Sequence, residues 1–176
     1  MIILLFGVSN VGKTTAGELL AKKLGYAFYD LDEEVMRQQN TTLEKFVSTG
    51  TLMERDEIRC NIINSLVKEH TNTVIAICPL SHIEEIRHHL FSPEILAIEL
   101  IDSPQNIFDR LIFSDENDVL YEDDDYKYEH QEQYLSSIAE DLGWYGYVYA
   151  DVKNKFDMQG RTPETVVDAL IAEFEF

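Results

Sequence analysis

The sequence predicts an α/β fold, a doubly wound parallel sheet of about five strands flanked by helices, on three observations. Short continuous apolar runs alternate with stretches of helical periodicity, as in sheets covered on both faces. Capping residues stand where helices must begin, and glycines where they must end. The first apolar run passes straight into a glycine-bearing segment that opens a helix, Gly7-Val8-Ser9-Asn10-Val11-Gly12-Lys13-Thr14. At 176 residues the chain is near the length of one domain, and 1–176 is read as a single unit.

Ile2 to Phe6 reads as a buried strand rather than a signal peptide, because it lacks a basic leader and meets Gly7 and Lys13 at once. Thr14 to Leu24 places Ala16, Leu19, Leu20 and Leu24 near helical spacing, with Lys22 and Lys23 in the last turn and Gly25 as the stop. A short strand at 27–29 leads to Asp30-Leu31-Asp32, after which helical stretches are expected over 33–39, 42–48 and 52–69. Val74 to Cys78 is another buried strand, ended by Pro79, and Ser81 to Leu90 reads as a helix capped by Ser81. A strand over Ile95 to Ile101 is followed by Ser103-Pro104, an N-cap with proline at the first helical position. Residues 113–133 differ in kind: between Asp115 and Glu132 lie nine acidic residues and one lysine. Such runs repel and stay solvated, so an exposed loop or a mobile lid over a ligand is expected. The last strand is placed within Tyr145 to Val152, where Trp144 to Tyr149 reads as a packed aromatic run rather than a base-stacking platform. Thr162-Pro163 starts a final helix through Val166, Val167, Leu170 and Phe174.

Lys and Arg number 14 against 33 for Asp and Glu, a formal charge of −19. Phosphate backbones and anionic membrane surfaces would meet net repulsion, so no nucleic acid and no membrane is expected as partner. No apolar run is long enough to span a bilayer. Cys60 and Cys78 are too few for a disulfide framework, which fits a reducing, cytoplasmic setting. His70, His82, His88 and His89 lack metal-ligand spacing and read as a solvated face, while Cys78 either lines a pocket at a strand end or fills the core. A monomer is favoured.

Residues 7–14 fit G-x-x-x-x-G-K-[ST] without a mismatch. Between a buried strand and a helix, backbone N–H groups and the positive helix end converge on one anion. Gly7, Asn10, Val11, Gly12, Lys13, Thr14 and Thr15 are therefore candidates for binding ATP. In that role Lys13 reaches the β- and γ-phosphates and the Thr14 hydroxyl ligates Mg²⁺.

Gly12-Lys13-Thr14-Thr15-Ala16-Gly17, then Leu20-Ala21-x-x-Leu24-Gly25, then Asp30-Leu31-Asp32, form an ordered set that resembles the shikimate kinases. The resemblance is dense over 1–59, thinner to about 112 and weak beyond. It implies a P-loop kinase that moves the γ-phosphoryl of ATP to a hydroxyl of a small-molecule acceptor. Lys13 and Asp32 would be catalytic, Asp32 also contacting the acceptor, and Asp30 would stand with Thr14 near Mg²⁺. Arg55 would grip a substrate carboxylate and Arg110 would pack on the adenine. From the residues alone, Asp32-Glu33-Glu34 equally suits the first turn of a helix, and Arg55 equally suits a helix surface.

Departures from the family pattern are equally plain. Where the family has a triple-glycine segment, this chain has Ala76-Ile77-Cys78-Pro79-Leu80, and no arginine occurs between Arg110 and Arg161. Lys127 is the one cation left in the lid stretch. Shikimate is then expected to be a poor substrate, and a neutral or cationic acceptor becomes the alternative. A non-catalytic nucleotide-binding regulator and a nucleotide or nucleoside kinase are the competing classes.

Overall fold

The computed structural model describes all of residues 1–176. Five strands form one parallel sheet: β1 Ile2–Phe6, β2 Ala27–Asp30, β3 Thr73–Ala76, β4 Ile95–Ile101 and a fifth at Asn154–Asp157. Their spatial order places β2, β3, β1, β4 and then the Asn154–Asp157 strand side by side, so β1 is central. Every residue of β1 is buried, which is why the run shows no polar alternation.

Successive residues of β1 point to opposite faces. Ile2, Leu4 and Phe6 pack with Leu31, Val35, Phe46, Ile63 and Tyr149, whereas Ile3 and Leu5 pack with Ala16, Leu20, Val167 and Leu170. The first layer is built by α2 Leu31–Gln39, α3 Leu43–Val47 and α4 Leu52–Glu69. The second is built chiefly by α1 Lys13–Leu24 and the terminal helix Pro163–Phe174. Between them in sequence lie α5 Pro104–Asp109, a two-stranded antiparallel hairpin of β5 Phe113–Ser114 and β6 Leu120–Tyr121, α6 Asp124–Glu129 and α7 Gln131–Val148. The fifth sheet strand, Asn154–Asp157, is β7, and Pro163–Phe174 is α8.

Three expectations need correction. The stretch from Tyr145 continues α7 instead of forming a strand, because Tyr145, Val148 and Tyr149, at helical spacing, pack against the core while Trp144 and Tyr147 stay exposed. The strand comes later, at β7. Residues 81–90 form no α-helix, only a short 3₁₀ segment at Arg87–Phe91. The reason is that the N–H groups of Ser81 and His82 are taken by the Asp56 carboxylate, both at 3.0 Å, which holds an irregular loop. Finally, α2 starts two residues early because Asp30 is its N-cap, accepting from the N–H of Asp32 at 2.9 Å and of Glu33 at 3.4 Å.

Candidate active site

Parallel open sheets bind ligands beyond the carboxyl ends of their strands, and the loop after β1 lies there. Gly7 has φ +141, and a Cβ on it would stand 2.5 Å from the Leu100 carbonyl oxygen of β4. Only glycine lets the chain leave β1 this close to its neighbour. Asn10 and Gly12 also have positive φ, and Gly12 caps α1 without any side-chain hydrogen bond. The first N–H groups of α1 are thereby left for an anion.

Lys13 is buried, and its Nζ donates to the carbonyls of Gly7 at 3.0 Å and Val8 at 2.7 Å, folding the ammonium over the loop. Burial lowers its pKa from 10.5 to about 8, although Asp32 and Asp30 act to raise it. The Thr14 hydroxyl donates to Asp30 Oδ2 at 2.6 Å, so the residue that caps α2 also meets the start of α1. Hydroxyl and carboxylate oxygens paired this way suit Mg²⁺, which takes one or two carboxylates beside phosphate and water. The glycine-lined turn, the uncapped helix start and the lysine likewise fit a nucleotide triphosphate.

Two residues beyond Asp30, Asp32 opens toward the same space. Its carboxyl is raised by burial, with the Arg59 guanidinium opposing, and Arg59 Nη2 lies 3.4 Å from Asp32 Oδ1. Arg59 also faces Asp56 Oδ1 at 3.5 Å and stacks over the Phe46 ring at 5.1 Å. Cys78, whose thiol burial keeps protonated, stands at this same carboxylate.

A family model described as shikimate kinase matches residues 9–174. The chain belongs to the shikimate kinase family. A shikimate kinase of Chloroherpeton thalassium is 36% identical over 77 residues, 43% of this chain and 40% of that protein. A probable gluconokinase of Xenopus tropicalis is 61% identical over 33 residues, 19% of this chain and 17% of that one. These curated relatives are thus matched over less than half their length. The crystal structure of shikimate kinase from Bacteroides thetaiotaomicron superposes with a TM-score of 0.81 at 21% identity, covering 100% of this chain and 99% of that one. That likeness is one of fold.

Arg55 is steadied by its own loop, Nη1 donating to the carbonyls of Thr49 at 3.1 Å and Gly50 at 3.0 Å, while its buried Nε has no hydrogen-bond partner. The arginine brought to Asp32 is Arg59, one helical turn further on. Arg110 lies at the P-loop, with Nη1 3.4 Å from the Val11 carbonyl and Nη2 2.6 Å from Asp102. Burial pushes the Asp102 carboxyl up, but hydrogen bonds from Asn106, Arg110, Ser103 and Gly160 outweigh it and hold the carboxyl below its usual range. In the segment facing the family's triple glycine, the Leu80 N–H donates to the buried Tyr149 hydroxyl at 2.8 Å. Lys127 is buried in α6, donates to the Asp109 carbonyl at 3.0 Å and lies over the Phe108 ring at 5.2 Å, tying the acidic stretch to α5. The hairpin tip reaches across to α3, where Asp118 Oδ2 accepts from the Leu43 N–H at 2.8 Å.

Arg59 and Asp56 escaped the sequence reading. Their signal is position: both fall on the face of α4 that buries Cys60, Ile63 and Leu66, where a charged residue requires a partner.

Proposed function

We propose that this chain is an ATP-dependent small-molecule kinase that transfers the γ-phosphoryl group to an acceptor hydroxyl. The observation that carries this reading is the joining of Thr14 to Asp30 at 2.6 Å, with Asp32 two residues beyond and Lys13 between them and the loop. Phosphoryl transfer needs positioning and charge stabilisation more than covalent chemistry. Lys13 and the loop amides of Gly7, Asn10, Val11, Gly12, Thr14 and Thr15 bind the phosphates and stabilise charge on the group in transit. Thr14 and Asp30 would hold Mg²⁺, whose charge would offset that of the phosphates. Asp32 accepts the acceptor's hydroxyl hydrogen and orients its oxygen for attack. Arg110, a planar cation beside Val11, supplies a stacking surface for the adenine. Residues 113–133 act as the lid, and Arg55, held at Thr49 and Gly50 through Nη1 alone, offers its unpartnered Nε edge to a carboxylate on the acceptor. The protein works as a cytoplasmic monomer.

Purified protein with Mg²⁺ should consume ATP in the presence of one member of a panel of shikimate, sugars, sugar acids and nucleosides. Lys13→Ala should abolish transfer, and Asp32→Asn should lower kcat by roughly 10²–10⁴ with ATP affinity nearly intact. Wild-type turnover in both variants would refute the assignment. The segment Ala76 to Leu80, which stands where the family has a triple glycine, favours a second reading as a nucleotide-binding regulator. It predicts ATP binding with no acceptor phosphorylated.

A further inference from the structure

Asp102 follows the last residue of β4, at the carboxyl edge of the sheet, and its side chain is only 1% exposed. A carboxylate buried there has to be matched by donors. Its Oδ1 accepts from the Ser103 N–H at 2.8 Å and from Asn106 Nδ2 at 2.6 Å, and its Oδ2 accepts from Arg110 Nη2 at 2.6 Å. The Gly160 N–H points between the two oxygens, at 3.3 Å and 3.2 Å.

These donors come from both ends of α5 and from the loop between β7 and α8. A Cβ on Gly160 would stand 2.9 Å from Asn106 Nδ2, so glycine is what lets that loop close on the carboxylate. Two residues earlier, the buried Met158 puts its Cε 3.1 Å from where a Cβ on Gly12 would stand. Arg110 reaches the same phosphate loop through Nη1, 3.4 Å from the Val11 carbonyl. One carboxylate thus gathers an arginine and a backbone loop at the rim of the phosphate loop. Arg110 has rival partners, since the lid carboxylates Glu122, Asp123 and Asp124 line the same cavity in a chain of charge −19. The short, buried pair with Asp102 holds it away from them, while 27% of its side chain stays exposed to meet a ligand.

We propose that Asp102 is a positioning residue of the nucleotide site: by fixing the Arg110 guanidinium at the rim of the phosphate loop it sets the affinity for the nucleotide's aromatic base, while the loop and Lys13 hold the phosphates independently. This inference rests on the reading above, in which Arg110 stacks on the adenine. A planar cation stacks well only where it lies flat on the ring, and an arginine already held there loses little rotamer freedom on binding.

The test separates the two halves of the nucleotide. ADP and pyrophosphate, each with Mg²⁺, share two phosphates and differ in the adenosine, and calorimetry gives the affinity for each. The wild type should bind ADP tighter than pyrophosphate by about tenfold or more, the gain expected of a desolvated cation on an aromatic ring. Asp102→Asn keeps the shape of the side chain but turns an amide NH₂ toward Arg110 Nη2. It should weaken ADP about tenfold and leave pyrophosphate within about twofold. In an Arg110→Ala background the same substitution should not change the ratio further, because its effect passes through the arginine. Equal losses for both ligands, an unchanged ADP affinity, or additive losses in the double variant would overturn the inference. Circular dichroism establishes folding, and Asp102→Ser, which removes the carboxylate without setting an amide against Arg110, replaces Asp102→Asn if that variant is unfolded. Loss of the fold in both would make Asp102 a residue of the fold alone and overturn the inference too. A wild type that binds ADP no tighter than pyrophosphate overturns it while leaving the role of the phosphate loop intact. If the wild type binds neither, the nucleotide reading itself fails and the inference with it.

Discussion

Lys13, proposed above to bind phosphate, works against the fold that holds it. Its ammonium is desolvated in the loop, and its pKa falls from 10.5 to about 8. Between those values the unfolded chain binds a proton that the folded chain has lost, so stability rises with pH across that window, and below about 8 the penalty is fully present. Wild type should therefore gain about 3 kcal/mol of stability relative to Lys13→Met between neutral pH and pH ~10.5. Urea unfolding of both proteins across this range measures it, and parallel pH profiles would refute the desolvation argument. The P-loop motif singles out Lys13 from sequence because its residue types and spacing are local. Arg59 was not legible in that way, since its role depends on a partner 27 positions earlier in the chain, Asp32.

At the scale of elements, the loop after β3 is held from two sides, by Asp56 of α4 and by Tyr149 at the end of α7. Tyr149→Phe keeps the ring against Phe6 but leaves the buried Leu80 N–H without its acceptor. It should cost about 1–3 kcal/mol in denaturant unfolding, and a neutral result would mean that the loop is anchored elsewhere. This same pair of helices marks where pattern reading failed. Trp144 to Tyr149 combines aromatic and β-branched residues with Gly143 and Gly146, which score as strand and break, yet the register of Tyr145, Val148 and Tyr149 on the core is helical. Ser81 stood ready as an N-cap, but its N–H was claimed from α4, a long-range contact that local rules do not contain. By contrast β1, α1, β4 and α8 were readable because their apolar periods and caps agree with one another.

For the molecule as a whole, a charge of −19 on 176 residues means that folding concentrates like charges. Screening should relieve this: unfolding midpoints should rise as ionic strength goes from about 0.01 M to 0.15 M, where the Debye length falls from about 30 Å to 8 Å. A midpoint that falls with salt would show that specific ion pairs outweigh the general repulsion. The parallel topology was legible from the alternation of elements, but the order of strands was not, because nothing local says that β3 pairs with β1 and not only with β2. That order has a kinetic consequence. β1 lies between two strands that come much later, Ile2 pairing with Thr73 on one side and Ile95 on the other. Its wholly apolar run therefore emerges from the ribosome long before either partner, and closing loops of that length slows folding. The strand that carries the phosphate loop is the segment this chain must keep from neighbouring nascent chains until most of the sheet has been made.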